Sequence, residues 1–440
     1  MLSDTVIAPA TPPGYGGVSL VRISGPKSEE IAKSLAKKTK PFKDRVATLS
    51  SIYNSRNEKI DDAIITYFKT PSSYTGENVI EISCHGNPII VDQIITSVCN
   101  MGARIAEPGE FTKRAFLNGK LDLVQAESVA AIIKSQSTKA ARINHKILSG
   151  DLSNKLREIK DSVLSVLAKL EFEFDISENE LTQPNLIKNT VNTINNSRLS
   201  CSSLIDSYEE GRIVNKGARV VIYGEPNVGK STLLNALLEK DRAITSETPG
   251  TTRDTVDAQI VLGGVPVTLI DTAGLRNSNN TLEAAGVERS RSEIKNADLL
   301  INVVTLSEKV KKSAGFGKEI TVYNKSDIID YPKKDGDTIN ISALMGHGLG
   351  ELKSLIKNKL IIKNESGSSL VLTTRRQVMA ISHCKDSLVA ALKHLGNSAP
   401  ELELVSFELR DAINQIDTLL GKTTADDILN KVFSGFCVGK

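Results

Sequence analysis

The chain has 440 residues, 40% of them hydrophobic and 24% charged, which are the proportions of a globular protein rather than a disordered or fibrous one. At about 150 residues per domain, this length implies roughly three domains. Lys plus Arg number 55 and Asp plus Glu 52, and the formal charge of +3 is too small for bulk attraction to nucleic acid, so an RNA contact must come from a local patch. The five cysteines, Cys84, Cys99, Cys201, Cys384 and Cys437, are odd in number, scattered and without a CxxC pair. That pattern disfavours a disulfide framework or a zinc site and fits a reducing compartment. The N-terminus carries no Lys or Arg before Arg22 and has Pro9, Pro12 and Pro13, so it does not read as a signal peptide. No stretch approaches the ~20 apolar residues that span a bilayer. The expectation is a cytoplasmic protein with no membrane association.

In chain order, residues 18–23 (VSLVRI), 63–67 (AIITY) and 79–83 (VIEIS) are short β-rich runs bounded by turn residues and predict strands. Residues 27–37 and 89–100 between them predict helices, giving an α+β domain over 1–118. From Leu121 to about Tyr208 the pattern changes to long apolar-periodic segments, including Val163, Leu164, Val166, Leu167 and Leu170, which are helical. Helical periodicity returns at 376–395 and at 401–419, with Pro400 as a start signal for the latter. The simplest arrangement is one discontinuous helical domain, residues 119–209 plus 361–440, with a Ras-like P-loop α/β G domain inserted at 210–360. Two independent helical regions are the alternative.

Within the insertion, the apolar strand RVVIY (219–223) leads into GEPNVGKS and then the helical TLLNALL. This is GxxxxGK[ST] in its strand, loop, helix context. Glycine lets the loop wrap a phosphate, the amides of Asn227, Val228, Gly229, Lys230, Ser231 and Thr232 face the anion, and Lys230 adds a mobile positive charge. The Ser231 hydroxyl is a candidate Mg²⁺ ligand. The strand VPVTLI then delivers Asp271, Thr272, Ala273 and Gly274; the carboxylate can hold Mg²⁺ through water, and the Gly274 amide can approach a γ-phosphate. A third strand, ITVY, runs into Asn324, Lys325 and Asp327, and an Asp there accepts from guanine N1–H and its exocyclic amine, a donor pair adenine lacks. Ser342, Ala343 and Leu344 follow the strand TINI as a loop covering the base. The loop SETPGTTRD contributes Ser246, Glu247, Thr248, Pro249, Gly250, Thr251 and Thr252, of which Thr252 is the second candidate Mg²⁺ hydroxyl. Its oxygens can gather with Asn227 around a monovalent cation against the phosphates; Arg253 and Arg276 are the rival source of positive charge. Where Ras-like proteins place a water-orienting Gln, this chain has Leu275. Glu283 is the candidate replacement, with a solvated surface charge as the bland alternative.

With these residues in hand, the chain resembles the MnmE (TrmE) family of tRNA-modification GTPases. The likeness runs through TVIAPATPPGYGG at the start, SYTGENVIEISCHG, GEFTKRAFLNGKLDLVQAE, the G motifs and the ending FSGFCVGK. It implies an N-terminal domain that binds a tetrahydrofolate, as the 5-formyl or 5,10-methylene form, and makes a homodimer. It implies an FAD-dependent partner (MnmG, or GidA) and installation of a carboxymethylaminomethyl or aminomethyl group at C5 of the wobble uridine of tRNA. It also implies K⁺-stimulated hydrolysis, with Asn227, Ser246, Thr248 and Thr251 around K⁺, Ser231 and Thr252 on Mg²⁺, and Glu283 orienting water. The folate contacts fall on Arg22, Glu81, Lys120 and Lys440. Cys437 is either a catalytic nucleophile or a residue packed beside the folate. The loop departs from the family in reading SETPG where TDIAG is expected, which touches Ser246 more than the backbone carbonyl of Thr248. Two competing functions are a ribosome-assembly RNA-binding GTPase and a regulatory switch without a part in the chemistry.

Overall fold

The computed structural model describes residues 4–176, 184–239, 257–271, 292–305, 318–331, 336–360, 370–397, 400–423, 426–436 and 439. The chain forms two units, one of Met1–Ile133, His145–Arg198 and His383–Lys440, the other of Lys134–Asn144 and Leu199–Ser382.

In the first unit, β1 (Val6–Pro9), β2 (Gly16–Ser24), β3 (Thr48–Tyr53), β4 (Lys59–Phe68), β5 (Val79–Gly86) and β6 (Arg104–Ile105) form one sheet in the order β3-β4-β5-β2-β1-β6. The period of two sorts its side chains. In β2, Val21 and Ile23 are buried with Ile80 and Ile82 of β5, in a core shared with Ile31 and Leu35 of helix Ser28–Leu35 and Ile94 and Val98 of helix Pro88–Asn100. Arg22 lies between them in sequence and so faces the other way. The second helix starts where it does because Pro88 suits the first turn and the Asn87 side chain accepts the Ile89 amide at 2.9 Å. The expected strands at 18–23, 63–67 and 79–83 and the helices near 27–37 and 89–100 are all present. β1, β3 and β6 were not expected: β1 is a four-residue strand ending in proline and β6 has only two residues, too short to carry a period.

Helix Glu110–Leu117 ties the sheet's edge to an ionic cluster around Arg114, which is fully buried. Its guanidinium donates to Glu77 at 3.1 and 3.2 Å, to Glu110 at 2.8 and 3.2 Å, and to Asp4 Oδ1 at 2.8 Å. Arg104 closes the cluster with bonds of 2.6 and 2.8 Å to Glu110 and 2.7 Å to Asp4. Burial works against the charged form of Glu110, but the bonds from Arg104, the Glu107 amide and Arg114 outweigh it and hold the carboxyl below its ordinary value.

The helical part of the same unit includes Leu123–Ile133, Asp151–Ile176, Leu402–Leu420 and Asp426–Phe433. Helix 402–420 lies along 151–176, with Lys160 donating to both Asp417 oxygens at 2.5 and 2.6 Å and Arg410 to Glu171 at 2.6 Å. Leu429, Phe433 and Phe436 pack with Leu123, Ala126 and Val129. Segments on either side of the central insertion therefore build one helical domain, and the alternative of two independent helical regions is set aside. Among the described residues, no helix is long and apolar enough to cross a membrane.

In the second unit, β7 (Ala218–Tyr223), β8 (Asp257–Leu262), β9 (Val265–Asp271), β10 (Leu299–Val304), β11 (Glu319–Tyr323) and β12 (Thr338–Asn340) form a sheet in the order β12-β11-β10-β7-β9-β8. Only the β8–β9 pair is antiparallel. Helices Lys230–Glu239 and Leu349–Leu360 cover it, and Val220, Ile222, Leu233, Leu237, Ile301, Val303, Val322 and Leu352 share one core. Buried parallel strands read as near-continuous apolar runs, as RVVIY, LLINVV and ITVY do. Their carboxyl ends at Tyr223, Asp271, Tyr323 and Asn340 open on one edge, where a ligand of such a sheet binds.

Replacing Arg114 with Met leaves Glu77 and Glu110 buried without their shared cation. The expected cost is about 3–5 kcal/mol, read as a fall in the opening free energy of β2 and β5 amides by native-state hydrogen exchange. Because the Glu110 carboxyl is depressed in the folded state, its contribution is full above its ordinary value of 4.5 and is lost as pH falls through the lower folded value. The same amides should lose protection on acidification, and the loss should be blunted in Arg114→Met.

Candidate nucleotide-binding site

The loop after β7 is shaped by backbone that only small residues allow. Gly224 has φ +150°, and a Cβ there would stand 2.2 Å from the Val303 carbonyl of β10; Gly229 has φ +94°, and its Cβ would stand 2.3 Å from Asn324 Nδ2. Between them Asn227 takes φ +64° at the exposed tip, while Val228 is buried beneath. The loop then enters helix Lys230–Glu239, so its amides and the helix N-terminus make an anion cradle. Lys230 is buried and curls back over the loop, donating to the carbonyls of Gly224 at 3.1 Å and Glu225 at 2.8 Å. Ser231 and Thr232 are exposed on the first helical turn.

The Ser231 hydroxyl donates to Asp271 Oδ2 at 2.8 Å, bringing together an alcohol from the phosphate loop and a buried carboxylate from the end of β9. Two hard oxygen donors beside a phosphate cradle fit Mg²⁺, which keeps most of its waters and takes few protein ligands.

Asn324, at the end of β11, joins the phosphate loop to the base loop. Its Nδ2 donates to the Val228 carbonyl at 2.8 Å, and its Oδ1 accepts the Ala343 amide at 3.0 Å. Lys325, with φ +64°, reaches the Asn227 carbonyl at 3.0 Å. The Ser342 hydroxyl, then the backbone amide of its own turn, then His347 and Lys325, hold the Asp327 carboxyl below its ordinary value, so it is an ionised acceptor at neutral pH. Ala343 is buried and Leu344 is 78% exposed, leaving an apolar rim over the base position. Tyr331 was not anticipated: its hydroxyl donates to the Asn324 carbonyl at 2.6 Å and its ring lies 5.1 Å from that of Tyr323. A lone tyrosine seven residues beyond Asn324 carries no local signal.

Of the remaining expected residues, Ser246, Glu247, Thr248, Pro249, Gly250, Thr251, Thr252, Thr272, Ala273, Gly274, Glu283, Cys437 and Lys440 lie outside the described residues. In the first unit, Arg22 and Glu81 are cross-strand partners in the β2–β5 register, and Arg22 donates to Glu81 Oε1 at 3.0 and 2.7 Å. Glu81 Oε2 has no partner among the described residues. The Arg22 guanidinium lies 5.4 Å from the Tyr74 ring and 5.6 Å from that of Phe111, and it reaches the Gly439 carbonyl at 3.5 Å. Gly439 has φ +95°, and a Cβ there would stand 2.0 Å from the Pro9 carbonyl, so this glycine is seated against β1. Lys120 donates to the Pro71 carbonyl at 3.1 Å. Tyr74, Phe111 and Gly439 were not foreseen, because they come from a loop, a helix and the far end of the chain and meet Arg22 through tertiary packing.

The family described as "GTP-binding protein TrmE N-terminus" matches residues 5–120, and "MnmE helical domain" matches residues 123–437. The tRNA modification GTPase MnmE of Legionella pneumophila (strain Paris) is 38% identical over 457 residues, covering 100% of both chains. The chain belongs to the MnmE family. MnmE proteins of Aquifex aeolicus (36% over 451 residues, 100% of both chains) and Fervidobacterium nodosum (35% over 458 residues, 99% of this chain and 98% of that one) are similarly colinear. The G domain of the T. maritima FeoB iron transporter is 23% identical over 33% of this chain and 99% of its own, with a TM-score of 0.23, too low to bear on the assignment. The second match runs from before the G motifs to beyond them, in keeping with a helical domain interrupted by the G domain.

Asn324→Ala removes both bonds that its side chain makes, leaving the Val228 carbonyl and Ala343 amide without that partner. At about 1–3 kcal/mol for a lost buried partner, GDP affinity measured by titration calorimetry should fall roughly 10- to 100-fold, while Asn227→Ala should change it much less.

Proposed function

We propose that this chain hydrolyses GTP in tRNA modification, and that with an FAD-dependent partner (MnmG, GidA) it installs a carboxymethylaminomethyl or aminomethyl group at C5 of wobble uridine. The observation that carries the GTPase reading is the Asn324 bridge, which fixes a phosphate cradle and an ionised Asp327 at one spacing. Full-length colinearity with MnmE proteins supports the tRNA reading. The ribosome-assembly alternative shares the G motifs but would have no use for the N-terminal and helical matches.

In this reading the loop amides and Lys230 hold the phosphates, and Asp327 selects guanine by accepting from N1–H and the exocyclic amine. Ser231 and Thr252 would hold Mg²⁺, with Asp271 acting through water, and the ion would supply positive charge to offset that of the phosphates. Thr272, Ala273 and Gly274, outside the described residues, are proposed to meet the γ-phosphate, with the Gly274 amide as donor. Asn227, Ser246, Thr248 and Thr251 would hold K⁺, whose charge takes the part of an arginine finger. Leu275 cannot hydrogen-bond water, so Glu283 orients the attacking molecule.

Tetrahydrofolate supplies a one-carbon unit. Its proposed contacts are Arg22, Glu81, Lys120 and Lys440, and Glu81 Oε2 is an acceptor suited to pterin donors. Cys437, which lies outside the described residues, is kept from the family likeness as either a nucleophile or a residue packed beside the folate. The proposed domains are 1–118 for folate binding and homodimerisation, 119–209 plus 361–440 for the helical domain and 210–360 for the G domain; the proposed location is the cytoplasm.

Mass spectrometry of tRNA nucleosides from a strain lacking this chain should show the C5 substituent missing from wobble uridine; unaltered wobble uridine would return the chain to a regulatory or ribosomal role. Turnover of GTP by the purified protein should rise when Na⁺ is replaced by K⁺ at equal ionic strength. Equal rates in the two salts would remove the cation from the mechanism.

A further inference from the structure

Beside the Arg22–Glu81 cluster lies a groove of about 430 Å³ lined by Arg45, Phe68, Ser72, Ser73, Tyr74 and Lys120. Tyr74 belongs to both, since Arg22 lies over the ring that walls the groove. Two cations are anchored on adjacent carbonyls of one segment: Lys120 donates to Pro71 at 3.1 Å and Arg45 to Ser72. Lys120 has no carboxylate partner among the described residues, and its Cγ lies only 3.3 Å from where a Cβ on Gly76 would stand, so the stem is packed in place. Arg45 is held by its backbone. Its φ is +58°, its amide donates to the Tyr67 carbonyl at 2.7 Å, and the neighbouring Asp44 accepts the Lys69 amide at 2.8 Å. The Asp44 carboxylate is engaged there and approaches Arg45 no closer than 3.8 Å. The Arg45 guanidinium also lies 5.7 Å from the Phe68 ring.

We infer that this groove binds the glutamate tail of the folate and that Arg45 makes the protein prefer folates carrying additional γ-linked glutamates. This rests on the folate reading of Arg22 and Glu81. A reduced folate is a pterin joined through an aminobenzoyl ring to glutamate, and each further γ-linked glutamate adds one carboxylate. With the pterin at Glu81, the aminobenzoyl ring passes Tyr74, the first glutamate meets Lys120, and the added carboxylates meet Arg45. A guanidinium pairs with carboxylate in a planar, two-bond geometry. A groove of this volume is the size of a small-molecule site, and its aromatic walls suit a ring and chain better than an extended RNA backbone.

The test uses the full-length protein and titration calorimetry with 5-formyltetrahydrofolate as its monoglutamate and its triglutamate, at low salt. The wild type should bind the triglutamate about tenfold more tightly, with the preference shrinking as salt is raised. Arg45→Ala and Arg45→Glu should abolish the preference while leaving monoglutamate affinity within about twofold, which also reports an intact fold; Arg45→Lys should restore part of it. Equal wild-type affinities for the two forms, or a preference that survives in Arg45→Glu, overturn the tail assignment and leave the folate reading standing. Failure of the wild type to bind either form overturns both. A loss of tRNA affinity in Arg45→Glu with the triglutamate preference intact assigns the groove to RNA and overturns the proposal.

Discussion

One side-chain amide holds the nucleotide site together. Asn324 donates to the phosphate loop and accepts from the base loop, and Gly229 has no side chain because Asn324 Nδ2 stands 2.3 Å from where its Cβ would be. The phosphate loop and the base loop are thus tied to each other through one side chain. The Tyr331 hydroxyl on the Asn324 carbonyl holds the backbone from the other side. The Lys325 bond to the Asn227 carbonyl adds a second tie to the phosphate loop.

The first unit depends on register in the same way. Arg22 and Glu81 are 59 residues apart, and their meeting requires β2 and β5 to pair antiparallel with those two residues opposed. A one-residue slip would turn Arg22 into the helix-covered core and Val21 or Ile23 out of it. The cluster of Arg114, Glu77, Glu110, Asp4 and Arg104, built around the buried Arg114, fixes the helix after β6 against the sheet. Close backbone approaches at Gly109 and Gly439 seat the C-terminal segment on this frame, the first against Phe433 and the second against Pro9.

The two sites differ in how they are written. At the G site the chemistry is local, with each motif at a strand end and the parallel sheet aligning those ends on one edge. At the Arg22 site no motif of contiguous residues exists, because its members come from β2, β5, the segment around Tyr74, the helix holding Phe111 and the far C-terminus. A family likeness can mark Arg22, Glu81 and Lys120 as a set, and its segments include Tyr74 and Gly439, but it gives those two and Arg45 no role, which comes from packing.

The sequence alone determined the inserted P-loop α/β fold, several of the strands and helices, and the candidate phosphate, Mg²⁺ and guanine residues at 227–232, 271 and 324–327, because phosphate loops and strand-end motifs are short-range chemistry. It also determined the family, since colinear motifs along the whole chain are specific. Only the tertiary structure decided what the short strands β1 and β6 pair with, which residues surround Arg22, and that Asn324 is a strut between two loops as well as a motif residue. Those facts depend on contacts between residues tens to hundreds of positions apart, and such contacts are set by register, close backbone approach and buried charge pairing, none of which leaves a periodic mark on the chain.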